Sequence, residues 1–391
     1  LGIAIASLTT GWMREDGVIR CDDYLQIEAS GFHVVVPTTP EIERCRPGES
    51  LVVIRYPRRF WESSDGKYFV VTTQRGDHDY SPTRPRGREV PQWFDGAICR
   101  VEVGSPDRPQ CFGDGKAHTI AESPLHDRLY VSAHDGKKGT LYALPRQGPF
   151  RPLVALNLTA KTALLYLDEE RDVIGLNEDE GLHVHTVRAS DVTFADSIPA
   201  AFLPDASHYD PSLHEGIACA GLGPVRQIDG NAYASVAFKG APFSCRPLAP
   251  SSRYPSSWLA LTWGCDWDPV RRRAYVAVAS LGLLEEIDYD TGDILRRSFI
   301  GLGIRSVAFD ARRRLIYAAF FLGGDILVID ADTLSIVDRW PAGRFVRHVE
   351  LSRDGNALLV ASNVGIVRVP LSAARSAADA PGSFLASRRG R

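Results

Sequence analysis

The sequence predicts a single all-β domain closed as a seven-bladed β-propeller of four-stranded antiparallel blades, and three observations predict it. One phrase recurs, as "WGCDWDPVRRRAYVAV" from Trp263, "RSVAFDARRRLIYAAF" from Arg305 and "RHVELSRDGNALLVAS" from Arg347. Tyr233, Tyr275, Tyr317 and Leu359 hold one place in successive copies, 42 residues apart. "IDYDTGDI" from Ile287 and "IDADTLSI" from Ile329 keep the same step. A period of about 40–45 residues belongs to propeller blades rather than to helical solenoids. The copies also leave no room for a helix: short alternating strands rich in β-branched and aromatic residues are separated by Asp-Gly, Gly-Gly and Asp-x-Asp-Thr turns. Finally, the copies count to seven.

Taken in order, "DGKYFVV" at 65–71 marks blade one and "HDRLYVSAHDGKKGTLYALP" at 126–145 blade two. "DEERDVIGLNEDEGLHVHTV" at 168–187 marks blade three, and "DGNAYASVAF" at 229–238 blade four, placed at about 216–257. Blades five and six follow at about 258–299 and 300–341. The seventh has three strands before a flexible tail, 372–391, and a strand near the N-terminus, "FHVVVP" or "YLQIEA", supplies its fourth and closes the ring. Closure hides strand edges that would otherwise template aggregation. Blades one to three are irregular, so six or eight blades are the alternatives. Residues 1–371 form the domain; within it, 1–20 ("LGIAIASL" at its start) reads either as a secretion-signal or anchor remnant or as an edge strand of blade one.

The degraded strand motif "YVAV", "YAAF" and "LVAS", the ending "VIDADT" and the segment "SRDGNALLVASN" resemble the YVTN family of bacterial β-propellers, clearly over 258–370 and more weakly over 47–245. The resemblance implies the propeller fold and an extracytoplasmic or surface-associated setting, with a cytoplasmic one as the alternative. It implies no particular chemistry, because fold and function are separable.

Composition excludes some partners. Lys and Arg number 45 against 48 Asp and Glu, a net charge of −3, so no nucleic-acid footprint is present, and the basic "SRRGR" ending is short. No stretch of 18 apolar residues exists to span a membrane. Seven cysteines bear on the compartment. Cys99 and Cys111 flank a hairpin and are the best candidate pair; Cys21 and Cys45 flank the closing strand, and Cys219 and Cys245 bracket blade four. Cys265 falls where sister repeats carry Val307 and Val349, a core position. Up to three disulfides suit an exported protein.

The candidate chemistry lies at the channel mouth. The repeat register places Arg58, Arg305 and Arg347 at equivalent positions of the innermost strands, with His118 in a fourth blade, Trp263 in a fifth, and His348 next to Arg347. Cations converging on one funnel favour an anionic ligand, and Trp263 adds a stacking surface for a flat or sugar-like body. The competing reading pairs these arginines with acids of the chain itself, such as Glu62 and Glu350. A second constellation offers a divalent metal as the one cofactor expectation: His183 and His185 share a strand face, and "HYDPSLHEG" carries His208, Asp210 and His214 on an expected surface loop. An insertion at 74–92, about 18 residues beyond the repeat, is expected to protrude from one face as a binding element.

No G-x-S-x-G, H-E-x-x-H, P-loop or dinucleotide fingerprint occurs. Two function classes therefore stand: a non-catalytic module binding a protein or an anionic small molecule, or a lactonase-like hydrolase or lyase acting on an anionic sugar or metabolite in the channel.

Overall fold

A computed structural model describes residues 17–371 apart from 54, 76–87, 90–93, 95, 104–108, 114–115, 136, 179–182, 200–203, 221–232, 241, 251–261 and 322. The tail, most of the N-terminal signal-like segment and most of the 74–92 insertion therefore lie outside the described residues. Among those described, seven four-stranded sheets follow one another around a ring, and the innermost strands of neighbouring blades contact each other. Six of the sheets run in sequence order from channel to rim. In the seventh, His33–Pro37 is the outer strand, pairing antiparallel with Gly365–Pro370 (Val34 opposite Val367, Val36 opposite Ile366). "FHVVVP" thus closes the ring.

The alternative closing segment, "YLQIEA", belongs instead to the helix Cys21–Ala29. Its apolar residues fall at helical spacing, with Cys21 and Ile27 buried, and Asp22 and Asp23 lie in the first turn, where the helix dipole favours negative charge. Residues 18–20 form a strand, but not in blade one. Val18–Arg20 pairs with Ser50–Val52, which pairs in parallel with Arg88–Glu89 at the end of the insertion.

Blade four departs from the expected register. Its strands are Pro204–Asp210, Glu215–Ala220, Tyr233–Lys239 and Ser244–Pro250. Tyr233 therefore sits in the third strand, whereas Tyr275 and Tyr317 sit in second strands (Arg273–Val278 and Leu315–Phe320). The 42-residue step from Tyr233 to Tyr275 therefore joins non-equivalent strands that are both apolar and both preceded by polar residues in the sequence. The innermost strand "PDASHYD" lacks the apolar run of its sisters, which is why it reads as a loop.

Every blade turns from its innermost to its second strand through a left-handed residue: Gly66, Asp127, Asp172, His214, Arg272, Arg314 and Gly355, with φ from 51° to 67°. In blades three to six the aspartate that ends the innermost strand caps the turn, as where Asp268 Oδ1 accepts the backbone N–H groups of Val270 and Arg271, each at 3.0 Å. The same turns tie blades together. Arg314 reaches Asp268 of blade five at 2.7 Å, Arg272 reaches Glu215 of blade four at 2.5 Å, and His214 reaches Asp168 of blade three at 3.0 Å.

Between blades the packing is apolar. Tyr275 and Tyr317 are fully buried, Tyr275 against Phe309 (centroids 5.1 Å) and Tyr317 in one cluster with Val349, Leu358 and Val360 of blade seven. Among the described residues neither hydroxyl makes a hydrogen bond of good geometry, although Asp310 stands near the Tyr317 hydroxyl and Arg314 near that of Tyr275.

Three disulfides are present: Cys21–Cys45, Cys99–Cys111 and Cys219–Cys265. The first two match expectation. The third corrects two readings, since Cys265 is buried yet bridged, and Cys245 is the free thiol. Cys219 lies in the second strand of blade four and faces the innermost strand of blade five, so the bond crosses the seam between blades.

Candidate functional site

The innermost strands of blades one, four, five and six each carry one extra residue against their second strands: Arg58, Asp205, Trp263 and Arg305. In blade seven, Arg347 donates its backbone N–H to Ala361 at 2.8 Å, although His348 is the register partner of Ala361. A bulge breaks the alternation of faces and re-aims side chains. Two successive residues per blade therefore reach one recess at this mouth: Arg58 with Arg59, Trp263 with Gly264, Arg305 with Ser306, and Arg347 with His348, completed by His208 and Cys265. The free space between these side chains is small, about 10 Å³, roughly what one water molecule needs.

Its electrostatic character is one-sided. Among its ten lining residues are four arginines, two histidines and no carboxylate. Arg58 and Arg347 are only 8% exposed, so their charge acts from a desolvated position. Aromatic rings organise two of the guanidiniums. Arg305 lies 4.9 Å from the Trp263 ring centroid and 5.1 Å from that of Phe321. Arg347 lies 5.0 Å from Phe321 and 5.1 Å from Tyr56, whose hydroxyl accepts its hydrogen bond. Trp263, Arg305, Phe321, Arg347 and Tyr56 thus form an alternating stack. Rings packed against the two guanidiniums hold them in place by cation–π attraction.

Each histidine is coupled to a carboxylate behind it. His348 Nε2 stands 3.3 Å from Glu350, and its ring packs 5.2 Å from Phe60. Burial pulls the His348 pKa below its ordinary value, although Glu350 acts the other way. His208 Nδ1 stands 3.7 Å from Asp266, whose two oxygens accept the backbone N–H groups of Trp267 (2.8 Å) and Phe309 (2.7 Å). Burial pushes the Asp266 carboxyl up, with His208 opposing.

Five of the six residues expected at the mouth are therefore brought together: Arg58, Trp263, Arg305, Arg347 and His348. For His118, only the backbone position in the strand Lys116–Ser123 is described. One detail changes: Arg305 stacks against Trp263, while the indole Nε1 is a buried donor with no partner among the described residues. The two acids named as competing partners are engaged elsewhere as well, Glu62 with Arg368 at 3.0 Å and Glu350 with His348.

The metal constellation does not assemble. His183 and His185 lie on the third strand of blade three beside Glu178, with His185 at 3.2 Å from it. His208 is in the channel recess, not on a surface loop. Asp210 ends the same strand and caps its turn, accepting the Ser212 N–H at 2.9 Å, and His214 is the left-handed turn residue. Among the described residues, no three His, Cys, Asp or Glu side chains are grouped to hold a metal ion.

Arg59, Tyr56 and Phe321 escaped the sequence reading, which placed His208 on a surface loop as a metal candidate. Aligning Asp210 with Asp268 and Asp310, the last residues of their innermost strands, would have put His208 in the channel. No family model matches this chain, and no curated protein matches its sequence.

Proposed function

We propose that this propeller is a binding module whose ligand is an anion, a carboxylate or phosphate group held in the recess by Arg58, Arg59, Arg305 and Arg347. The observation that carries the reading is the make-up of the lining: four guanidiniums and two imidazoles from blades one, four, six and seven, with no carboxylate among ten residues. Such a cluster focuses positive potential and offers charge-assisted hydrogen bonds in a partly desolvated cleft. The resemblance of the repeats to the YVTN family supports an extracytoplasmic setting, as does the presence of three disulfides.

Titration calorimetry with inorganic phosphate, sulfate and citrate tests the reading. Arg305→Ala and Arg347→Ala should each weaken binding by at least about tenfold, since one charge-assisted hydrogen bond is worth about 1.5–3 kcal/mol. The melting profile of Arg305→Ala should stay near wild type. Absence of binding by all three anions at low ionic strength would refute the anion site.

A second reading, hydrolase or lyase, is favoured by the two histidine–carboxylate pairs facing the recess, which have the composition of a general acid–base apparatus. Turnover of an anionic ester or sugar acid that is lost in both His208→Gln and Arg305→Ala would select it over the binding module.

A further inference from the structure

The rim of the recess is not uniformly polar. From the stack, Phe321 leads outward: its ring centroid lies 6.5 Å from that of Trp263, and its backbone N–H donates to Gly303 at 3.1 Å. Next to Gly303, Leu302 is 52% exposed on the segment that leads into Arg305. Beyond it stands Phe299, 69% exposed, at the end of the outer strand of blade five. The two are neighbours across Gly282, where an added Cβ would meet Phe299 Cε2 at 2.8 Å and the Leu302 backbone N at 3.0 Å. Only a glycine, here at φ +67°, lets these groups converge. Isolated apolar residues on a surface are ordinary, whereas exposed apolar residues that follow one another along the segment leading into a charged cleft offer a surface for a ligand's body.

We infer that the ligand is an amphiphilic anion, a small molecule whose carboxylate or phosphate occupies the arginine recess while an aliphatic or aromatic body lies along Phe321, Leu302 and Phe299. The inference rests on the anion-site reading above and adds the chemical class of what the site selects. Charge complementarity fixes the head, and continuity of the apolar run with Arg305 fixes the direction of the body. A head of this kind held by fixed guanidinium edges leaves its substituent pointing to solvent unless an apolar surface continues from the cleft, and here one does.

The test is calorimetry on the full chain with acetate, octanoate and inorganic phosphate as probes. Octanoate should bind at least about tenfold more tightly than acetate, equivalent to about 1.4 kcal/mol. The double variant Leu302→Ser, Phe299→Ser should bring the octanoate-to-acetate ratio to within about twofold. Binding of acetate and phosphate without a gain for octanoate overturns the inference and leaves the recess reading standing. An undiminished ratio in the double variant also overturns it. Failure of acetate and phosphate to bind overturns the recess reading, and this inference with it. A peptide with a free carboxylate after Leu-Phe that binds tenfold more tightly than octanoate would assign the strip to a protein terminus and overturn the small-molecule assignment.

Discussion

Two substitutions at one residue, Tyr317→Ala and Tyr317→Phe, should move stability in opposite directions. The ring is fully buried among the core residues of blades six and seven, 5.7 Å from Trp340. Truncation to alanine deletes that ring and leaves a cavity, which costs about 3–5 kcal/mol. At about 2.1 cal/mol/K per residue, a domain of roughly 350 residues melts with an entropy near 0.7 kcal/mol/K, so the loss corresponds to about 4–7 °C. Phenylalanine keeps the ring and removes only the hydroxyl, which is buried with no hydrogen bond of good geometry among the described residues, Asp310 being the acid near it. Its pKa is raised, by burial first and then by Asp310, so the group stays neutral throughout. Relieving an unsatisfied buried hydroxyl recovers about 1 kcal/mol or more, and Tyr317→Phe should melt at or slightly above the wild type. Scanning calorimetry of the three proteins under one buffer decides the matter. If Tyr317→Phe melts several degrees below wild type, the hydroxyl has a partner and the packing described at this seam is wrong. A loss below about 1 kcal/mol for Tyr317→Ala would show the position to be exposed.

Deleting residues 22–37 removes the closing strand and with it one of the three strand pairings of blade seven, and should abolish a cooperative melt; an unchanged melting temperature would refute closure by His33–Pro37. Stability should also depend on pH through His348. Its folded pKa is depressed while an unfolded histidine titrates near about 6.5, so below that value the unfolded chain takes up a proton the folded one does not. Stability therefore falls as pH drops from about 6.5 toward the folded pKa, and urea midpoints between pH 5 and 8 should show a shallower slope in His348→Gln. Replacing Cys219 by serine should cost about 2–4 kcal/mol through loss of the cross-blade bridge, detectable as a lower midpoint that reducing agent no longer shifts further at that seam.

Much of the architecture was legible because propeller blades repeat both an apolar alternation and a turn. Blades five to seven carry both signals, and their boundaries emerge nearly as read. Blade four keeps the turn, with Asp210 as its cap and His214 left-handed, but not the apolar alternation in its innermost strand, where Pro204, Asp205, Ser207 and His208 replace the usual apolar residues, and its third strand imitates a second one. "YLQIEA", within the helix Cys21–Ala29, stands in the sequence as the alternative to "FHVVVP" for the closing strand because a short apolar run has no decisive period. At the site, register alone placed Arg58, Arg305 and Arg347 together, since equivalent positions of a closed ring must converge. What register does not carry is the extra residue of a bulge. Arg59 and Ser306 would face away in a regular strand, and only the irregular pairing brings them inward. Tyr56 lies two residues before Arg58 on the innermost strand of blade one yet partners Arg347 of blade seven, and Phe321 follows the second strand of blade six, so no repeat position links either ring to its arginine.

The strand His33–Pro37 also sets a timetable. Its partner Gly365–Pro370 emerges from the ribosome more than three hundred residues later. At about 5–20 residues per second, that interval is roughly 15–65 s. Throughout it, "HVVVP" is an apolar segment without its ladder, while blades one to six can already pair locally. Nascent chains are thus committed to a long wait with one sticky edge exposed, and the yield of native protein should depend on translation speed and on whatever shields that segment meanwhile.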